Sequence, residues 1–239
     1  MRKRSKEEVK IRNALSELFV FSLGSGDGAF LLYTVLLYCE YVCSGGENRV
    51  RLGDLLGKDP KRWGSWKEVS KEPGFQGLFE VDSEDNIRIR GDFEDHLPII
   101  CAKVRGYWGF LSRLCSGEKR WGSGVQDAVA KGVLLFNEGF YFECHELLEG
   151  AWKEEKGREK SFLKGLIHAA VAFYHLECGN YKGAAHYLIR SHRRLKGFEP
   201  AFLGMDVKAF LTDIEAFLDS LRESESPVLK SMVPRMRSL

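Results

Sequence analysis

Apolar residues recur at helical spacing along the first part of the chain. Between residues 6 and 22 they fall on one face, with charged residues between them, which predicts an amphipathic helix. The segment at residues 24–28 breaks this pattern, and Asp27 can cap a second helix that runs to about Cys43. The pattern therefore predicts two helices at the start of the chain.

The pattern changes between residues 50 and 90. A short strand enters a small helix at 50–56, and another short helix covers 66–71. Apolar and polar residues then alternate at 77–82 and 86–90 around an acidic turn, which predicts a β-hairpin. This order of strand, helix, helix and hairpin resembles small winged-helix domains, including the LOTUS type, which bind RNA or protein partners.

A basic segment rich in glycine and serine, residues 116–124, separates the two halves of the chain. Just before it, Pro98 opens a helix that runs to about Leu114. From residue 126 onward the pattern is helical. We therefore predict a winged-helix-like α+β domain at 1–97, a connecting helix and basic linker at 98–125, a helical domain at 126–223 and a tail at 224–239.

An internal repeat is visible in the second half of the chain, where Gly139 aligns with Gly179 and Tyr141 with Tyr181. Each segment reads as a helix, a glycine-centred turn and another helix, which is typical of tetratricopeptide-like hairpins. We expect these hairpins to form a compact helical bundle, with strands of the chain confined to about residues 50–90. A strand pair between residues 130 and 220 would contradict the repeat.

One motif runs from Phe136 to Trp152 and reads Phe-Asn-Glu-Gly-Phe-Tyr-Phe-Glu-Cys-His-Glu-Leu-Leu-Glu-Gly-Ala-Trp. Together with Gly165-Leu-Ile and the segment at 174–184, it resembles the domain-of-unknown-function 309 family. The resemblance covers about residues 130–221. It implies a small helical domain, and no agreed activity comes with the family.

Histidine and glutamate side chains gather on the predicted helix at residues 141–152. Successive residues of an α-helix are about 100° apart, so His145, Glu149 and Trp152 fall on one arc, with Glu146 beside it. The next helix carries two histidines on one face, and the groups converge if the two faces meet. The candidate polar cluster comprises Glu143, His145, Glu146, Glu149, His168 and His175, supported by Trp152 and Tyr174.

Three roles are open to this polar cluster. Imidazole and carboxylate together accept zinc, iron or manganese, so a divalent metal is the candidate cofactor. Crowded carboxylates beside a histidine also suit general acid–base catalysis. The structural alternative is a buried hydrogen-bonded network that fixes helix register, with the Trp152 indole N–H donating into it. In each case we expect His145 and Glu149 to be mostly buried and within hydrogen-bond reach of each other.

Basic residues define two further candidate sites for an anion or a nucleic acid. At the first site, the acidic residues within 80–85 argue against nucleic-acid binding, because at the hairpin tip they would repel a phosphate backbone. At the second site, the alternative is a solvated helix face that pairs with acids at 154–159. The residues are Lys58, Lys61, Arg62 and Lys67 in the first site and Arg190, Arg193 and Arg194 in the second.

Composition narrows the class of protein. The 239 residues are 44% hydrophobic and 29% charged, which is ordinary for a globular protein, and the net charge of +2 gives no overall basic excess for nucleic acid. The longest apolar run, at residues 30–38, is too short to span a bilayer. We predict a cytoplasmic protein with no membrane contact. The six cysteines show no CxxC spacing, and we assign most of them to the core.

These observations predict a mainly α-helical, non-catalytic binding or adaptor protein. Its expected partner is a protein, and a nucleic acid is the other candidate partner. The alternative is a metal-dependent hydrolase acting on phosphate or amide bonds. In that case the site comprises His145, Glu146, Glu149 and His175.

Overall fold

The chain divides into two units in the computed structural model, which describes residues 5–57, 66–116, 122, 124–223 and 233–238. One unit is formed by residues 3–120, and the other by residues 121–239 together with residues 1–2. Helices dominate both units, and the first contains a small antiparallel sheet. The mainly α fold class is therefore confirmed. Over the described residues, no helix is long and apolar enough to cross a membrane.

The first unit begins with two long helices, α1 (Lys6–Ser22) and α2 (Gly26–Cys43). The side chain of Ser25 accepts a hydrogen bond from the backbone N–H of Gly28 and caps α2, so the expectation that Asp27 caps this helix is wrong. Asp27 instead lies in the first turn, where its negative charge is stabilised by the positive end of the helix dipole.

Short elements follow α2 and form a three-stranded sheet. The antiparallel order is β1-β3-β2, with Val50 opposite Ile87 and Glu80 opposite Arg88. The strand, two short helices and the hairpin lie where the pattern predicts them, and α5 is an additional turn of helix. The bounds are β1 (Arg49–Arg51), α3 (Leu52–Leu56), α4 (Trp66–Val69), α5 (Pro73–Gln76), β2 (Phe79–Val81) and β3 (Asn86–Ile89).

The last helix of the first unit is α6 (Leu97–Ser116), which follows a 3₁₀ turn at Gly91–His96. Its residues Val104 and Tyr107 are fully buried, and the Tyr107 ring stacks on Phe19 of α1 with centroids 4.1 Å apart. We interpreted this segment as a connecting helix, whereas the structure places it within the first unit. Its apolar face closes that unit's core.

Five longer helices build the described part of the second unit. At their centre Phe136 is fully buried, and its ring makes edge contacts with Tyr141, Phe173 and Phe210 at centroid distances of 5.2, 5.2 and 5.7 Å. One side chain thus joins four helices of the bundle. The helices are α7 (Val125–Asn137), α8 (Tyr141–Glu154), α9 (Gly157–Glu177), α10 (Tyr181–Leu195) and α11 (Val207–Glu223).

The two turns aligned by the repeat have the same backbone geometry. Gly139 and Gly179 both adopt positive φ, of 82° and 70°. The next residue donates its N–H to the carbonyl five residues back in each turn, over 2.9 Å at Phe140 and 2.8 Å at Asn180. Such a closure needs a left-handed residue, which glycine supplies without strain. The repeat therefore holds at the level of these turns.

The expectation that strands are confined to residues 50–90 is wrong. A short antiparallel pair, β4 (Ala201–Phe202) and β5 (Met205–Asp206), lies between α10 and α11. Its two turn residues, Leu203 and Gly204, both have positive φ, the geometry of a tight hairpin usually marked by Asn-Gly or Asp-Gly. This strand pair contradicts the tetratricopeptide-like assignment, which requires helices alone between residues 130 and 220.

The described end of the chain, residues 233–238, lies on the second unit rather than apart from it. Asn137 donates its side-chain amide to the carbonyl of Met236 over 2.7 Å and accepts from the Met236 N–H over 3.0 Å. Met236 is buried, and Arg237 pairs with Asp213 of α11 at 3.0 Å. We had assigned these residues to a tail. Their backbone hydrogen bonds make them part of the bundle's surface.

Candidate functional site

Helix α8 brings together three of the predicted site residues. His145 Nε2 lies 3.2 Å from Glu149 Oε2, and His145 Nδ1 lies 3.1 Å from Glu146 Oε1. The three ligand atoms of this His145 triad (His145, Glu146 and Glu149) lie within 4.8 Å of one another. Residues four apart on a helix are neighbours on its surface, so the predicted contact between His145 and Glu149 is present.

His145 and Glu149, which we expected to be mostly buried, are partly exposed. The side chains of His145 and Glu149 are 22% and 31% exposed, and that of Glu146 is 40% exposed. They lie along the side of α8, while Cys144 and Leu148 of the same helix are fully buried. The triad is therefore half-buried at the bundle surface, where a soluble ligand can reach it.

The other three members of the predicted polar cluster lie elsewhere. Glu143 is buried, and its charge adds to the burial that raises the pKa of the Cys144 thiol. His168 and His175 of α9 instead lie against the Tyr187 ring of α10, with centroids 5.8 and 5.4 Å away. Over the described residues, the group with metal-ligand spacing consists of the triad alone. The second helix thus turns its histidines toward α10 rather than α8.

His168 is held in a neutral, buried position. Burial, together with nearby positive charges, lowers its pKa from 6.5 to about 4. These charges come from Lys164 of α9 and from the basic side of α10. Within the described chain, its Nδ1 has no hydrogen-bond partner. A histidine in this state contributes packing rather than charge.

His175 is engaged by residues next to it in the chain. Its Nδ1 lies 2.9 Å from the side-chain nitrogen of Asn180, which caps α10. Its ring stacks on Tyr187 at an interplanar angle of 14°. These contacts fix the α9–α10 turn, so His175 serves that turn and not the His145 triad.

The aromatic residues predicted to support the polar cluster have other neighbours. The ammonium groups of Lys160 and Lys164 lie over the Trp152 ring, 4.5 and 4.6 Å from its centroid. We expected the indole N–H of Trp152 to donate a hydrogen bond into the polar cluster, but in the part of the chain that the structure describes no such bond is present. The Tyr174 ring lies 5.3 Å from Phe142 of α8. Sequence reasoning missed the two lysines, although their i, i+4 spacing was visible.

The basic face of α10 is only partly neutralised. Arg194 donates to the Ser161 hydroxyl over 3.3 Å, and His192 Nε2 lies 2.7 Å from Glu215 Oε1 of α11. For the described residues, no ion pair joins Arg190, Arg193 or Arg194 to the acids at 154–159. The alternative of a helix face paired with those acids is therefore not what the structure contains.

Carboxylates of the hairpin in the first unit interact with arginine side chains. Arg88 pairs with Glu80 at 2.7 Å, and Arg49 is hydrogen-bonded to Asp82. Backbone and side-chain hydrogen bonds, including that from Arg49, hold the pKa of Asp82 well below its usual range. Lys67 is exposed on α4. The predicted residues Lys58, Lys61 and Arg62 lie outside the described residues.

Comparison with known proteins concerns the second unit. Residues 129–187 match the family model of a domain of unknown function, DUF309. Over 69 residues the chain is also 42% identical to the uncharacterized protein YpuF of Bacillus subtilis (strain 168). That similarity covers 28% of this chain and 40% of the relative, so the chain spans less than half of the relative's length. No solved structure matches.

The region that matches DUF309 contains one group of candidate residues and excludes others. The His145 triad and both lysines over Trp152 lie within residues 129–187, whereas the arginines of α10 lie beyond it. The first unit also lies outside the match. The candidate residues that lie in the matched region are therefore those of α8 and α9.

Proposed function

We propose that the second unit is a non-catalytic binding domain that takes a divalent cation between His145 Nε2 and Glu149. The observation that carries this is the 3.2 Å separation of His145 Nε2 and Glu149 Oε2. Zinc lies about 2.0–2.2 Å from nitrogen and oxygen ligands, so two ligands of a tetrahedral ion are about 3.3 Å apart. The two atoms are thus spaced for one ion with little rearrangement.

The third member of the triad has a different role in this proposal. An imidazole offers one nitrogen to an ion, and Glu146 lies at the opposite nitrogen, 3.1 Å from Nδ1. A carboxylate there accepts the Nδ1–H, which fixes the tautomer with a free lone pair on Nε2. Glu146 therefore orients the ligand histidine instead of binding the ion.

The surroundings suggest how a further ligand is bound. Two protein ligands leave coordination positions for water or for an acidic group, since Zn²⁺ takes four ligands. Trp152 lies one turn beyond Glu149 and carries Lys160 and Lys164. An acidic ligand would meet the cation at one end and these ammonium groups at the other.

The cation proposal is tested by titrating the full chain with Zn²⁺ and Mn²⁺ in a calorimeter. We expect Glu149→Gln to abolish measurable binding and Glu146→Gln to weaken it by about 10–100-fold. Glu154→Gln removes the same charge from the end of the same helix and should leave the affinity unchanged. Equal affinities in all three variants, or no binding by the natural chain, would contradict the proposal.

A second candidate function, metal-dependent hydrolysis, rests on the same coordination positions. A divalent cation there would lower the pKa of its bound water and so supply a nucleophile, with His145 and Glu149 holding the ion. The metal-loaded chain is assayed with a nitrophenyl phosphodiester and a nitroanilide. Turnover that Glu149→Gln removes would replace the binding function by hydrolysis, and cation binding without turnover supports the non-catalytic one.

For the first unit we propose docking of an extended protein segment along β1, in the manner of a winged-helix adaptor. The order of strand, short helices and hairpin supports this, and so does the position of β1 at the sheet edge, where backbone groups can pair with an added strand. A cavity of about 660 Å³ beside it is lined by residues including Tyr41, Arg51 and Glu84. Arg49 of β1 and Arg88 of the hairpin are already paired with acids, which argues against binding of a phosphate backbone.

Docking and nucleic-acid binding by the first unit are separated by two measurements on the full chain. Peptides selected from a random library should lose affinity in Arg51→Glu, which changes the cavity wall, and keep it in Lys67→Glu. RNA and DNA should show no binding that falls steeply with added salt. Steep salt dependence removed by Lys61→Glu with Arg62→Glu would instead establish nucleic-acid binding.

A further inference from the structure

Four basic side chains lie where α9 packs against α10 in the second unit. This basic cluster comprises Lys160 and Lys164 of α9 and Arg190 and Arg194 of α10. The Arg194 guanidinium donates to the Ser161 hydroxyl of α9 over 3.3 Å. Ser161 follows Lys160 directly and lies one helical turn before Lys164. Basic side chains of both helices therefore meet at this hydroxyl.

The two helices are held close together beside the basic cluster. The Ser191 hydroxyl, fully buried on α10, donates to the Gly165 carbonyl of α9 over 2.8 Å. A β-carbon added at Gly165 would lie 2.6 Å from Leu195 and 3.7 Å from the stem of Arg194, so only glycine allows this approach. Arg190 precedes Ser191 and lies one turn before Arg194. Both arginines thus project from a fixed helix pair.

Carboxylates do not neutralise the basic cluster. Among the described residues, none of its four side chains forms an ion pair with an acid. The two lysines instead share the Trp152 ring of α8. Burial of His168, followed in effect by the charges of Arg190, Lys164 and Arg194, lowers the pKa of this histidine to about 4. Cations from both helices therefore act on the same place, and such a concentration of like charge favours an anion.

We propose that the basic cluster binds the two linked phosphate groups of a diphosphate ligand, independently of the cation proposed on α8. The arginines present planar N–H groups that match phosphate oxygens, and a lysine adds a compact charge. The Ser161 hydroxyl can rotate to donate to the same group. One phosphate monoester carries a charge of about −1.5 to −2 at pH 7, so four cations match two phosphate groups. Both arginines are exposed and both lysines are partly exposed, so a ligand can reach them.

Arg193 belongs to a different surface of α10. It lines the groove between α10 and α11, together with Glu215 and Asp219. The sequence had grouped it with Arg190 and Arg194 as one candidate anion site, and that group did not contain Lys164. Arg193 is exposed like the arginines of the basic cluster and carries the same charge. It therefore provides the matched control for the proposed site.

The proposal is tested by titrating the full chain with pyrophosphate in a calorimeter, at about 150 mM salt. EDTA is present, so that the cation site takes no part. We expect Lys164→Gln and Arg194→Gln each to weaken binding by about tenfold or more, because each removes charge-assisted hydrogen bonds to phosphate. Arg193→Gln should bind like the natural chain. None of the three side chains is buried, and thermal melts check that the variants are folded.

Nuclear magnetic resonance supplies a second readout, which locates the bound ligand. Pyrophosphate should shift the ring-proton signals of His168, identified by their loss in His168→Gln, and should leave those of His96 in the first unit unchanged. Equal weakening in all three variants would show general attraction to a positive surface and would overturn the proposal. No binding by the natural chain, or unmoved His168 signals, would overturn it as well. An RNA oligonucleotide that binds where pyrophosphate does not would replace the diphosphate ligand by a nucleic acid.

Discussion

Replacing Phe136 by alanine should lower the free energy of unfolding of the second unit by about 3–5 kcal/mol. The ring is fully buried and touches three other rings from three different helices. The cavity left by its removal cannot close without moving those helices, so the lost transfer free energy and the cavity both contribute. Urea unfolding followed by circular dichroism measures the loss.

The control for Phe136→Ala is Leu134→Ala on the same helix. Leu134 is only partly buried, so its truncation should cost less than half as much. Hydrogen exchange measured by mass spectrometry should show the loss of protection in α7–α11. Similar losses in both variants would contradict a central role for Phe136, since packing against three rings is what distinguishes it.

Acidification from pH 7 to pH 4 should lower the free energy of unfolding by up to about 3 kcal/mol through His168 alone. Its pKa is about 4 in the folded chain and 6.5 when unfolded. Above pH 6.5 the imidazole is neutral in both states and the stability is complete. Between these values the imidazole is protonated in the unfolded chain and neutral in the folded chain. The free energy of unfolding therefore decreases as the pH is lowered. Below about pH 4 this loss is complete.

The groups that set this dependence surround His168 on two helices. After burial, the groups that lower the pKa of His168 are, in decreasing order of effect, Arg190, Lys164, Arg194 and His186. Urea unfolding between pH 7 and pH 4 should show a weaker pH dependence for His168→Gln than for the natural chain. His186→Gln, at an exposed position, removes the weakest of these charges and should change the pH dependence much less than His168→Gln does. Parallel curves for His168→Gln and the natural chain would show that His168 is not buried in the neutral form.

The two units carry separate candidate chemistry. The DUF309 match covers residues 129–187, which contain the proposed cation site on α8. The sheet edge proposed for docking lies in the first unit, outside that match.

Features that depend on neighbouring residues could be predicted from the sequence alone. Helix ends at Gly139 and Gly179 follow from glycine's access to positive φ, and the contact between His145 and Glu149 follows from their spacing of one turn. Both are set within a few residues of chain. For the same reason the sheet strands of the first unit lie close to their expected positions.

Only the tertiary structure decided which helix faces meet. The pattern placed His168 and His175 on one face but could not show that this face contacts Tyr187 of α10 instead of the His145 triad. The same holds for Tyr107, which stacks on Phe19 of α1 only because α6 packs within the first unit. Helical periodicity specifies an apolar stripe and not its partner. That partner is selected by packing between segments far apart in the chain, where side-chain volumes must fill the core without voids.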